Sequence, residues 1–191
     1  NMKKVAQVSA AHCGPAVLQM LLSSFGLEVT QQEIEEAGGV GGGKIGEYGM
    51  TLKELILASK RLAPNLQFWY KLEGNLGDLA RVVEEFGHPV GVEWQGLFRP
   101  EDQDDDDGHY SVVVGVDTTN NILSLVDPYY YQEERPVRKF RLGVFEKRWW
   151  DTNEITDEVS GRKTRLMDHR LMLVVTLKEA GFPEELGMTK V

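Results

Sequence analysis

"HYSVVVGVDTTNNILSLVD", residues 109–127, is the stretch whose reading decides the fold. Two β-branched runs, 110–117 and 122–127, flank Thr118, Thr119, Asn120 and Asn121, a composition suited to a hairpin turn between antiparallel strands. A two-residue turn at Thr119 and Asn120 would set Asp127 opposite Val112, so bringing Asp127 beside His109 requires a bulge or a longer loop. Outward from this hairpin, 66–72, 89–94 and 171–177 carry the same β-branched and aromatic enrichment. Upstream the period changes. From Pro15, the residues Val17, Leu18, Leu21, Leu22 and Phe25 recur at helical spacing and Gly26 supplies a stop. Thr30 with Glu33, and Thr51 with Glu54, fit the capping box, and Asn75 caps a further helix through Leu79, Val82, Val83 and Phe86 that ends at Gly87. Helices first and an antiparallel sheet after predict an α+β fold. No repeat or linker interrupts it, so 1–191 reads as a single domain, with a helical part over about 1–88 and a sheet part over about 89–178.

The chain has 191 residues, 41% of them hydrophobic, and a formal net charge of −9. The length suffices for one hydrophobic core, and no apolar run approaches the roughly 20 residues that span a bilayer. The acidic balance argues against a nucleic-acid partner, since phosphate binding needs a basic stripe. "NMKKVAQ" lacks the apolar core of a signal peptide, which predicts a cytoplasmic protein unless an upstream signal has been trimmed. A single cysteine, Cys13, rules out an internal disulfide framework and a thiolate metal cluster. No cofactor and no metal are expected.

Cys13 stands in "AAHCGPAVLQML", residues 10–21. It falls where a helix begins, and free amides and the helix dipole there favour a thiolate. Pro15 is tolerated in a first helical turn, and Gly14 lets a substrate approach the backbone closely. The alternative is that Cys13 packs as a small buried hydrophobe. A nucleophile also needs a base, an orienting group and an oxyanion donor. Among His12, His88, His109 and His169, His109 is the candidate base, because it opens the longest strand pattern at a rigid, accessible end. Asp127 ends the return strand at the same end of the sheet. Gln7, six residues before Cys13, can place its amide N–H beside the Cys13 backbone N–H. Ordinary roles exist for each: a strand-edge histidine, an Asp-Pro turn and a loop glutamine.

Together "QVSAAHCGPAVLQML", "GHYSVVVGVD", "LVDP" and "FEKRWW" resemble the papain-like cysteine peptidases of the bacteriocin-processing, double-glycine leader group. The sequence carries no transmembrane or ATP-binding segment, as in stand-alone relatives. The resemblance implies a papain-like fold, a helical lobe packed on an antiparallel sheet lobe. It implies Cys13 as nucleophile, His109 as general base and acid, Asp127 as orienting group and Gln7 as oxyanion donor. The implied activity is hydrolysis of a peptide or amide bond in a peptide or protein substrate, through a thioester on Cys13. Two alternatives use the same residues: an acyl transferase, and an inactive peptide- or partner-binding module. His12 departs from the family pattern and is expected to face solvent.

Other motifs point elsewhere. "QDDDDGH" places Gln103, Asp105, Asp107 and Gly108 as in a calcium loop, but Val114 stands where a bidentate Glu is required. Asp104 to Asp107 read as a solvated loop whose field favours imidazolium at His109. "GGVGGGKI", residues 38–45, mimics a phosphate loop, yet Ile45 replaces the required Ser or Thr and a helix precedes it. Phe145, Trp149 and Trp150 fit a short amphipathic helix anchored in the core.

Overall fold

The computed structural model describes residues 1–46, 49–97, 108–129, 137–157 and 159–191. The acidic stretch Asp104 to Asp107, and with it most of the calcium-like motif, lies outside the described residues. Helix α1 (Cys13–Ser23) is buried along almost its whole length, and its hydrophobic side chains leave no polar face. It begins at Cys13 rather than Pro15, with Pro15 in the first turn, where a missing N–H costs nothing. Helices α2 (Gln31–Gly38) and α3 (Leu52–Leu62) open with the reciprocal capping boxes of Thr30/Glu33 and Thr51/Glu54. Each box satisfies two amides that a bare helix end leaves unpaired. The glycine-rich stretch follows α2: Gly39 takes φ 83°, where the left-handed region favours glycine, and closes the helix.

Strand β1 (Leu66–Lys71) leads to α4 (Leu76–Ala80), whose first turn the Asn75 side chain caps. The chain continues as a π-helical turn, Arg81–Glu85. Strands β2 (Val90–Gln95), β3 (Gly108–Asp117), β4 (Ile122–Val126) and β5 (Val137–Arg141) follow. Helix α5 (Leu142–Arg148) precedes the strands β6 (Trp150–Thr156), β7 (Lys163–His169) and β8 (Met172–Leu177), and α6 (Phe182–Glu185) and β9 (Thr189–Lys190) end the chain. The main sheet is antiparallel in the order β5-β4-β3-β2-β8-β1-β9, and β6-β7 forms a separate hairpin.

The sheet divides the core. One face carries α1 to α3 over Phe68, Tyr110, Val112 and Leu173; the other carries Trp94, Val113, Leu125, Phe145 and Trp149. Trp149 is an anchor as expected, with its indole N–H donating to the Leu171 carbonyl at 3.0 Å. Neither tryptophan is in the helix, because α5 stops at Arg148: Trp149 follows its last turn and Trp150 opens β6. Among the described residues, no helix is long and apolar enough to cross a membrane.

One irregularity sets up the functional end of the sheet. Asp117 pairs with Ile122, a register that extended unbroken would oppose Val112 to Asp127, but the pairing shifts between Val113 and Gly115, so Val112 faces Val126. The single extra residue at this bulge moves Asp127 across to the face that carries Ser111 and His109. The Glu84 carboxylate, reaching from the π-helical turn, accepts the Val116 N–H at 2.7 Å and holds the bulge.

Candidate active site

Cys13 is the first residue of α1 and partly exposed, with the buried His109 at the start of β3 beside it. The His109 side chain and the backbone N–H groups of Tyr110 and Gly14 lie within hydrogen-bonding reach of the sulfur. Burial by itself would push the thiol up; the His109 hydrogen bond and charge, with the two amides, outweigh it and hold Cys13 below the ordinary thiol value. Nε2 of His109 meets Asp127 Oδ1 at 2.6 Å, which leaves Nδ1 as the ring nitrogen for the sulfur. Burial would lower the imidazole, but Asp127 and Cys13 on its two sides raise it from 6.5 to about 9. The arrangement therefore shifts the pair toward thiolate and imidazolium.

Asp127 is buried and fully partnered. Its Oδ1 also accepts the Tyr129 N–H at 3.0 Å, and its Oδ2 accepts Arg138 Nη1 at 2.6 Å. Although burial raises its pKa, the His109 and Arg138 bonds bring the carboxyl below its ordinary value. Arg138, on β5, also donates to the Leu97 carbonyl and lies 4.9 Å from the centre of the Phe140 ring. Arg138 was not apparent in the sequence, because nothing in "RPVRKFR" relates it to Asp127 until β4 and β5 are paired, with Arg138 opposite Leu125. The alternation of charge and apolar residues in that segment was the available signal.

Gln7 is 2% exposed and is drawn to the site by its backbone N–H, which donates to the Pro128 carbonyl at 2.9 Å. Its side-chain Nε2 donates to the carbonyls of Ser9 at 2.8 Å and Ala10 at 3.3 Å, so the amide is oriented by the turn that precedes Cys13. Two sequence expectations change here. His12 is buried rather than facing solvent: Nδ1 meets Ser9 Oγ at 2.6 Å and Nε2 meets Glu35 Oε1 at 2.9 Å, because the tight turn before α1 directs the ring at α2. Gly14 is buried as well, and a Cβ there would meet Leu55 and Tyr110 at 3.5 to 3.6 Å. Its open side faces protein, so its contribution is an N–H rather than room for a substrate.

Of the other histidines, His88 stacks against Phe25 and Phe182, and His169 bonds Glu73 at 2.7 Å. Neither approaches Cys13. Among the described residues, no group of three His, Cys, Asp or Glu side chains has the arrangement to hold a metal ion.

The profile described as "Peptidase_C39 like family" matches residues 1–156. The chain belongs to that family. Among solved structures, this C39-like chain is similar to the peptidase domain of Streptococcus ComA, a bifunctional ABC transporter involved in a quorum sensing pathway. The identity is 20%, the TM-score 0.62, and the match covers 93% of this chain and 100% of that domain. The fold is thus the papain-like fold of C39 peptidase domains, α+β with its helices packed on an antiparallel sheet. A comparison with curated proteins finds no match. Family and fold make the chain cysteine peptidase-like.

Proposed function

We propose that this C39-like chain is a cysteine peptidase that hydrolyses a peptide bond through a thioester on Cys13, and that 1–191 works as one peptidase domain. The observation that carries this reading is the chain of contacts from the Cys13 thiol at a helix N-terminus through His109 to Asp127. The thiolate attacks the carbonyl carbon, forming the S–C bond as the carbonyl π electrons move onto oxygen. The Cys13 N–H stabilises that oxyanion, and Gln7 Nε2 joins it by giving up its longer bond, the one to the Ala10 carbonyl at 3.3 Å. His109 gives its proton to the leaving nitrogen as the C–N bond breaks, and Asp127 keeps the ring oriented while its charge changes. Neutral His109 then takes a proton from water, whose oxygen attacks the thioester and releases the thiolate. The substrate is a peptide or protein segment that enters extended.

Intact-protein mass spectrometry after mixing with a peptide library tests this. An acyl adduct on Cys13, discharged with incorporation of ¹⁸O from labelled water into the product carboxylate, is the expected result. Discharge onto added amines in preference to water would make the chain a transferase. Binding of peptides with no adduct would make it a binding module, and would overturn the proposal.

A further inference from the structure

Beside Cys13 the same sheet face holds an unusual concentration of acid. Along β3, Val112 lies under α1, Tyr110 packs against Gly14, and Gly108 lies against the Asp151 carboxylate so closely that no Cβ fits there. Across in β2, Glu93 pairs directly with Tyr110 and Gln95 with Gly108, so these side chains share the Cys13 face. Glu93, 2% exposed, lies within hydrogen-bonding reach of both Asp151 on β6 and Asp168 on β7. Asp168 is half-buried.

Gln95 Nε2 is directed at the Trp150 carbonyl at 3.1 Å and Asp151 Oδ1 at 3.2 Å, and Asn153 Nδ2 at Asp168 Oδ2 at 2.5 Å. Among the described residues, Glu93 Oε2, Gln95 Oε1 and the Tyr110 hydroxyl are buried without a hydrogen-bond partner. Burial, together with the charges of Glu93, Cys13, Asp168 and Asp151, pushes the Tyr110 phenol well above its ordinary value, so it lies near both the cluster and the nucleophile. Buried polar atoms without a partner are costly. A group with donors, a positive charge and no acceptor answers all of them at once, and ammonium and guanidinium are the side-chain groups of that kind. Burial and the two aspartates push the Glu93 carboxyl well above its ordinary value, a strain that a bound cation relieves. The cluster adjoins the nucleophile through Tyr110, which packs against Gly14 and pairs with Glu93, so the side chain that would enter it belongs to a residue close to the bond over Cys13.

We propose that Glu93, Gln95, Asp151, Asp168 and the Tyr110 hydroxyl form a subsite for a lysine or arginine side chain of the substrate. This rests on the peptidase reading of Cys13. The test uses Cys13→Ala protein and fluorescent peptides that differ at one scanned position, Lys, Arg, norleucine or Glu, with affinity read by polarisation. At one position Lys or Arg is expected to bind about ten-fold or more tighter than norleucine, and Asp168→Asn or Glu93→Gln is expected to remove most of that preference. Comparing Lys with norleucine on the unsubstituted cluster needs no folded cluster variant. Equal affinity at every position overturns the subsite, as does a preference that survives both substitutions in folded protein. Alkylation of the parent separates the readings: slow alkylation of Cys13 with the basic preference intact counts against catalysis alone, and fast alkylation with no preference counts against the subsite alone.

Discussion

Asp127→Asn removes the charge on which the site's electrostatics turn. His109 keeps its proton up to about pH 9 instead of 6.5; at about 1.4 kcal/mol per pH unit, this is on the order of 3 kcal/mol in favour of imidazolium. Against the burial that opposes it, Asp127 is the leading favourable contributor. With Asn in its place, Arg138, which met Asp127 Oδ2 at 2.6 Å, loses that carboxylate and stays close to a ring that must itself carry positive charge. We expect kcat/KM on a peptide substrate to fall by about 10²–10⁴, and iodoacetamide alkylation of Cys13 below neutral pH to slow with it. Adding Arg138→Gln removes that neighbouring positive charge. The double variant should therefore be less impaired than the summed single effects, with a coupling of about 1–3 kcal/mol in a double-mutant cycle. An Asp127→Asn protein with the parent's alkylation profile, or strictly additive effects of the two substitutions, would refute this electrostatic account.

Three further predictions concern the supports of the site. Gly108→Ala must displace the Asp151 carboxylate, and we expect a loss of about 1–3 kcal/mol in urea melts, whereas a melt like the parent's would show that the β6-β7 hairpin yields freely. Glu84→Leu leaves the Val116 N–H without its acceptor; stability should fall by about 1–3 kcal/mol and kcat should fall too, with Glu84→Gln recovering both because its carbonyl accepts the same bond. His12→Leu breaks the bonds to Ser9 and Glu35 and loosens the turn that orients Gln7. Steady-state kinetics should show a lower kcat with KM nearly unchanged, while a change confined to KM would make His12 a substrate contact.

Residues 13, 109 and 127 could be read from the sequence because each sits at the end of a strongly patterned element, where the helix period begins or a β-branched run opens or closes. The bulge could be foreseen only as a requirement: simple hairpin register set Asp127 opposite Val112, and the shift between Val113 and Gly115 resolves it. What holds that shift, a carboxylate from Arg81–Glu85, comes from another part of the chain and leaves no local pattern. Strands β5 and β7 went unseen for a related reason. β7 is largely exposed, and in both strands charged residues outnumber apolar ones, so the apolar alternation is too sparse to mark a strand. His12 was misjudged because its burial depends on Glu35, and the packing of α2 against the turn before α1 is a tertiary fact. The acidic cluster is likewise assembled from β2, β6 and β7, and no segment of sequence displays it whole.

The pH dependence of Cys13 alkylation by iodoacetamide, compared between the parent and His109→Ala, tests the central claim most directly. The thiol lies below its ordinary value because His109 and the amides of Tyr110 and Gly14 outweigh burial. The parent should therefore react through the mildly acidic and neutral range, with the thiolate-imidazolium pair persisting until His109 gives up its proton at about pH 9. In His109→Ala burial remains and the largest favourable contribution is gone, so reaction should rise only in the alkaline range, near or above the ordinary thiol value of about 8.5. Superimposable profiles, slow at neutral pH in both proteins, would contradict the assignment of Cys13 and His109 as a reactive pair.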